Sequence, residues 1–455
     1  MTTTDTTSAA TDDERLPFHL RGNYAPVFDE VTATDLPVIG SLPPELSGRY
    51  FRNGANPHTG RSAHWFAGDG MIHGIRLRDG RAEWYRNRWV RTRALAEPGV
   101  RMIGDDGSVD RTIGVANTHV VEHAGHILAL VESSFPHELT PELDTIGVYD
   151  FDGRLDSAMT AHPKVCPITG EMHFFGYGFF EPYLTYHRVS ADGELVQTEV
   201  IDVPGPTMIH DFSITESHVI FMDLPVVFDL DLAMQGGMPY RWDDDYGARL
   251  GVMPRGAVGL QPTWFDIDPC YVFHPMNSFD VTADDGAVEQ IVLDTARYPE
   301  LWRQASATFQ NDAALHRFTI DLAAGTVGEQ ALDDRAIEFP RVADDRVGVR
   351  NDVGYAVASF DEQNSIVRYD LDADRSAAHD FGEFRIPGEP VFVPREGSTA
   401  EDDGYLLTYV YDKTTDTSEF TVLDARDVAA EPLARVPLPQ RVPFGFHGSW
   451  IADPE

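Results

Sequence analysis

The run Gly404-Tyr-Leu-Leu-Thr-Tyr-Val-Tyr411, followed by Glu419-Phe-Thr-Val-Leu423, decides the fold class. Both segments are short and rich in β-branched and aromatic residues, and polar turn residues bound them. That is the pattern of strands. Upstream, Ile127-Leu-Ala-Leu-Val131 and Val219-Ile-Phe-Met222 repeat it. Between such runs stand Asp79-Gly80, Asp152-Gly153, Thr169-Gly170, Asp192-Gly193, Asp285-Gly286 and Ala324-Gly325, each read as a hairpin turn. Helical periodicity is confined to residues 299–304 and 234–250. An all-β chain with this many hairpins is a propeller or a set of sandwiches. It carries no WD or Kelch signature and no fixed repeat period. No linker divides it after residue 15, so one domain is expected over residues 16–455, with a disordered tail over 1–15.

The 455 residues carry 35 basic and 74 acidic side chains, a formal charge of −39. Such a surface repels phosphates, which argues against nucleic acid as a partner and against tight binding to anionic membranes. Lys164 and Lys413 are the lysines of the sequence. Hydrophobic residues make up 42%, enough for a large core, yet no apolar run reaches the ~18 residues of a spanning helix. Two cysteines, Cys166 and Cys270, exclude a disulfide scaffold. Residues 1–13 lack the basic start and apolar centre of a secretory signal, so a cytoplasmic protein is expected.

Of 17 histidines, four have distinctive surroundings. His162 lies in Thr160-Ala-His-Pro-Lys164, His210 in Met208-Ile-His-Asp-Phe212, His274 in Cys270-Tyr-Val-Phe-His-Pro275, and His447 in Pro443-Phe-Gly-Phe-His-Gly-Ser-Trp450. Apolar neighbours imply buried imidazoles that need partners. Their separations of 48, 64 and 173 residues match no local metal motif. Spacing alone therefore leaves two readings open. They are four separately satisfied core histidines, or a zinc site made by His162, Cys166, Cys270 and His274.

Taken together, these contexts resemble the carotenoid cleavage oxygenase family, from about Pro37 to Trp450. Phe51-Arg-Asn-Gly-Ala-Asn-Pro57, Phe66-Ala-Gly-Asp-Gly-Met-Ile-His73, Trp264-Phe-Asp-Ile-Asp-Pro-Cys-Tyr-Val-Phe-His274 and Glu389-Pro-Val-Phe-Val-Pro394 carry the likeness in the family's order. The resemblance implies a seven-bladed β-propeller, with a dome of loops and short helices over one face. It implies a non-haem Fe(II) on the axis held by His162, His210, His274 and His447. Glu132, Glu338 and Glu389 match the glutamates that hold the ligand rings, and Thr118 matches a threonine beside an open coordination position. Neutral imidazoles suit ferrous iron, and surrounding carboxylates balance its charge.

The implied activity is cleavage of a carbon–carbon double bond by O₂ into two carbonyl products. Lignostilbene-cleaving relatives carry a lysine immediately before the first glutamate, where it can engage a phenol. Here that position is Val131. An apolar polyene, carotenoid or apocarotenoid, is therefore expected ahead of a stilbene. A non-catalytic polyene-binding propeller is the remaining alternative, and nothing marks the ester substrate of a retinoid isomerase. Trp89, Phe174, Phe175, Phe179, Phe273, Phe444 and Phe446 are candidates for the tunnel wall. The apolar residues of 226–238, interrupted by Asp229 and Asp231, suggest weak peripheral membrane contact. No pattern specifies an oligomeric state.

Overall fold

The computed structural model describes residues 16–97, 99–236, 238–303, 311–358 and 364–453. The proposed tail at 1–15 lies outside them. Seven antiparallel sheets are arranged as the blades of a propeller, and five of them have four strands. Blade 2 runs from His119–His123 to Thr145–Val148, and blade 3 from Lys164–Val165 to Leu195–Ile201. Blade 4 starts at Phe212–Ile214, blade 5 at Tyr271–Thr282 and blade 6 at Glu338–Arg341.

The two ends of the chain close the ring. Strand Gly448–Ala452 pairs antiparallel with the first strand of blade 1, Gly48–Ala55, matching Arg52 with Gly448. Strand Ile39–Gly40 pairs with Ala434–Pro437 at the outer edge of blade 7. Asp453, just past the closing strand, receives Arg49 at 2.5 Å and Arg76 and Arg78 at 3.1 Å each.

The near-continuous apolar run at 404–411 has a packing cause. In a strand, alternate side chains face opposite sides of the sheet. Tyr405, Leu407 and Tyr409 join the core shared with blade 1, whereas Leu406 and Val410 join the core shared with blade 6. Blades stack face to face, so both faces are buried and no polar alternation survives. Similar wedges of core fill the other gaps. Phe175 and Tyr186 of blade 3 meet Phe212 and Phe221 of blade 4, each such side chain contributing about 1.5–3 kcal/mol by burial.

Five of the six turn pairs close hairpins within blades. Asp152-Gly153 instead lies in the connection between blades 2 and 3. The two helical expectations fail. Residues 299–303 are irregular, Trp302 has a φ of +51°, and Gln304 lies outside the described residues. In the 234–250 stretch a helix, Leu230–Met234, ends where the expected one begins. The strand Tyr240–Trp242 follows, paired with Val226–Phe228. Burial of Tyr240 and Trp242 in the core near blade 5 overrides local helical propensity. This insertion and the short helices Trp65–Ala67 and Arg93–Ala96 belong to the dome.

Candidate metal centre

Each blade delivers one side chain at or near the start of its axial strand. Thr118 precedes His119–His123, His162 precedes Lys164–Val165, and His210 precedes Phe212–Ile214. His274 lies within Tyr271–Thr282, at an irregularity in its register with the next strand. Glu338 opens Glu338–Arg341, Glu389 precedes Val391–Pro394, and His447 precedes the closing strand Gly448–Ala452. The axial strands also bond to one another, as Ser213 Oγ does to Ser278 Oγ at 2.8 Å. Radial symmetry therefore converts long sequence separations into a single cluster.

The ligand-type atoms of His162, His210, His274 and His447 all lie within 4.8 Å of one another, and all four residues are buried. Nε2 of His210 is 3.1 Å from Nε2 of His162 and 3.2 Å from Nε2 of His274. The outward nitrogens face carboxylates. Nδ1 of His210 is 2.5 Å from Glu132 Oε1, Nδ1 of His274 is 2.5 Å from Glu338 Oε2, and Nδ1 of His447 is 2.9 Å from Glu389 Oε1. At His274 and His447 the carboxylate accepts a hydrogen bond from Nδ1, which leaves Nε2 as a bare lone pair; at His210 Glu132 is close to Nδ1 but not aligned for a hydrogen bond. Bare lone pairs about 3 Å apart repel unless a cation lies between them. That separation is what two imidazoles give at about 2.1 Å from one metal ion and at right angles.

Each glutamate is itself fixed by a second donor. Tyr177 donates to Glu132 at 2.5 Å, Tyr298 to Glu338 at 3.0 Å, and the Gly448 amide to Glu389 at 2.7 Å. Arg341 stands 3.4 Å from Glu389. Burial raises the Glu389 carboxyl, but Arg341 and then His447 outweigh it and hold the group ionised. Burial, then the neighbouring rings, push His162 well down; burial also pushes His447 well down, outweighing Glu389. Both stay neutral, as ligation requires. At His274 burial is outweighed by the adjacent Glu338 charge, and the net direction is upward.

Phe339 follows Glu338 with a φ of +52°, a strained value for a bulky residue. Its amide donates to Glu338 Oε2 at 2.6 Å, and its ring stacks on His274 with centroids 5.4 Å apart. The strain thus positions both the carboxylate and the imidazole.

His162 differs from the other three. No glutamate reaches it, and its nearest carboxylate is Asp211 Oδ2, 3.7 Å from Nδ1. Sequence reasoning missed Asp211, Lys164, Tyr177, Tyr298 and Arg341. The adjacency of Asp211 to His210, and of Lys164 to His162, was the available signal.

A cavity of about 730 Å³ opens on the dome side of the histidines. Phe179, Phe273, Phe444 and Phe446 line it, as do Tyr24, Trp65, Phe66 and Phe339. Thr118 and Val131 are in its wall, and the Thr118 hydroxyl donates to Asn117 Oδ1 at 2.9 Å. Three of the proposed wall residues lie elsewhere. Phe174 stacks on Phe151 and His187, Phe175 packs on Phe212, and Trp89 donates to the Asn56 carbonyl. A second cavity, of about 910 Å³, reaches His162, His274 and His447 from the other side of the ring and is lined by Lys164 and Asp211.

The zinc reading does not survive this geometry. Cys166 and Cys270 are free, buried in separate clusters and absent from the histidine group. Cys166 Sγ instead accepts from Arg255 at 3.3 Å.

The molecule is thus a seven-bladed propeller with a four-histidine metal-binding group on its axis. Residues 24–452 match the family described as retinal pigment epithelial membrane protein, and the chain belongs to that family. It is 40% identical to a carotenoid cleavage oxygenase of Mycobacterium tuberculosis, covering 98% of this chain and 99% of the relative. It is 36% identical to carotenoid 9,10(9',10')-cleavage dioxygenase 1 of Arabidopsis thaliana, covering 97% and 91%. Among solved structures it resembles the lignostilbene dioxygenase of Pseudomonas brassicacearum, with a TM-score of 0.85, 30% identity, and 96% and 100% coverage. It also resembles a cobalt-substituted apocarotenoid oxygenase of Synechocystis, with a TM-score of 0.83, 28% identity, and 94% and 97% coverage.

Proposed function

We propose that this chain is a non-haem iron dioxygenase that cleaves a carbon–carbon double bond of a carotenoid or apocarotenoid, giving two carbonyl products. The observation that carries this is the four-histidine group, with its glutamates, opening directly onto an aromatic-lined cavity. His162, His210, His274 and His447 would hold ferrous iron. That donor set is all imidazole, which suits Fe(II). When bound, the iron supplies activation of O₂ beside the alkene.

The rest is the work of the chain. Glu132, Glu338 and Glu389 orient the rings and compensate charge, and Thr118 narrows one approach to the centre. Phe273, Phe339, Phe444 and Phe446 hold the polyene and exclude water. Both oxygen atoms end in the products, so the balance requires no proton donor or nucleophile from the protein.

Val131 supports a polyene over a hydroxystilbene, because an aliphatic side chain in the cavity wall cannot hydrogen-bond a phenol. Weak peripheral membrane contact is part of the reading, supported by the exposed Leu230 and Met234 on the dome insertion. Among the described residues no helix is long and apolar enough to cross a membrane. A cytoplasmic setting also belongs to it, supported by two thiols kept free and buried.

The test is mass spectrometry of products from iron-loaded protein in air, offered an apocarotenal and a hydroxystilbene together. Shortened polyene aldehydes are expected. Aromatic aldehydes from the stilbene would overturn the substrate assignment.

A further inference from the structure

The cavity beside the metal centre contains a cation that nothing neutralises. Arg111 lines its wall and is half-buried. Its backbone is tied to the segment that orients His210, because the Phe135 amide donates to the Arg111 carbonyl at 2.9 Å, three residues past Glu132. Its side chain has no hydrogen-bond or ion-pair partner among the described residues.

The nearby charges are otherwise engaged. Asp110 takes Arg93 at 2.8 Å, and Asp105 takes Arg101 at 2.5 Å. Glu132 and Glu338 face His210 and His274. Asp156 and Glu181 also line the cavity, but both are exposed and neither pairs with Arg111. Other half-buried arginines have their partners within the chain, as Arg249 has Asp223, Arg317 has Asp294 and Arg88 has the Val31 carbonyl. The guanidinium nitrogens of Arg111 keep contact with water, and an acceptor arriving in the aromatic-walled cavity would exchange that hydration for charge-assisted hydrogen bonds.

We propose that Arg111 is a specificity-determining residue that binds an acceptor-only oxygen group, a carboxylate or carbonyl, at one end of the polyene. The preferred substrates are then apocarotenoids with an oxidised terminus rather than hydrocarbon carotenoids. A carboxylate gains most, because the planar guanidinium can donate to both of its oxygens, whereas a carbonyl accepts at one. This inference rests on the polyene-cleaving reading above.

The experiment uses an apocarotenoic acid, the matching apocarotenal and a hydrocarbon polyene of equal chain length. Affinity is measured on chelator-treated protein by quenching of tryptophan fluorescence, Trp65 being in the cavity wall. Cleavage of the same three compounds is measured on iron-loaded protein. The wild type is expected to bind acid and aldehyde more tightly than hydrocarbon. Arg111→Leu should lower the acid-to-hydrocarbon affinity ratio by about tenfold or more, the size of a charge-assisted hydrogen bond. Arg111→Lys should restore part of that ratio, since it keeps the charge without the fork. An unchanged ratio in Arg111→Leu overturns the assignment while leaving the cleavage reading intact. Iron-loaded wild type that binds these polyenes and cleaves none overturns the cleavage reading instead.

Discussion

Lys164 Nζ lies 2.8 Å from Asp211 Oδ1, and the other oxygen of Asp211 lies 3.7 Å from Nδ1 of His162, the one clustered histidine without a glutamate. The Phe212 amide also donates to Asp211 at 2.7 Å. Burial raises the Asp211 carboxyl, and Lys164 only partly offsets this. The pair therefore depends on both members. Lys164→Met should destabilise the metal-free protein by about 3 kcal/mol, because it strands a buried carboxylate. Lys164→Met combined with Asp211→Leu should cost less than Lys164→Met alone. Guanidinium unfolding of Lys164→Met, Asp211→Leu and the double variant measures this, and additive losses would show the two residues to be uncoupled.

Glu389 receives His447, Arg341 and the Gly448 amide. Glu389→Gln keeps an acceptor for the imidazole but removes the charge. Metal affinity should fall by about 10- to 100-fold, the usual size of such an outer-sphere effect. Titration of chelator-stripped protein with cobalt(II), followed by visible absorption, reads the change. His447→Ala should lose both metal retention and cleavage. An active His447→Ala variant would remove the ligand assignment.

Asp453 gathers Arg49, Arg76 and Arg78 where the last strand closes the ring. Asp453→Asn removes the one carboxylate that all three guanidiniums share, leaving Arg49 with Glu142 and Arg76 and Arg78 with Glu83. The expected loss is about 2–3 kcal/mol, seen as a lower denaturant midpoint. A loss below about 0.5 kcal/mol, the level of ordinary surface substitutions, would mean that strand pairing alone secures the closure.

Buried imidazoles set the acid limit of the fold. Burial pushes His73, His173 and His187 down to about 3, and His119 and His137 to about 4, from 6.5. These groups stay neutral in the folded chain but take up protons when it unfolds. Their contribution is full above pH 6.5 and is lost as pH falls toward 4. Each such site costs at most about 1.4 kcal/mol per pH unit in that window. Unfolding midpoints should drop steadily between pH 7 and pH 5, and a flat profile would contradict the neutral assignment.

Much of the blade architecture was legible locally. The strands His126–Leu130, His218–Asp223, Gly404–Asp412 and Thr417–Asp424 lie within a residue or two of where β-propensity and turn residues put them, because hairpin pairing is a contact between neighbours in sequence. The helical expectation at 234–250 failed because Tyr240 and Trp242 bury against residues of blade 5, a contact distant in sequence. The even spacing of His162 and Cys166 suggested a shared strand face, but the strand there is only Lys164–Val165.

By itself, the sequence determined an all-β chain, a strongly acidic surface, four histidines in apolar settings, and a family likeness that singled out Glu132, Glu338, Glu389 and Thr118. Tertiary structure alone decided which groups meet. Ring closure by Gly448–Ala452 brings His447 to His162, 285 positions apart in number, with ring centroids 4.6 Å apart. It also selected Phe273 and Phe446 for the cavity wall and left Phe174 and Phe175 in the core. It paired Lys164 with Asp211 and left Arg111 unpaired. The physical reason is that strand and turn preferences act over a few residues, whereas convergence on an axis depends on the radial packing of all seven blades.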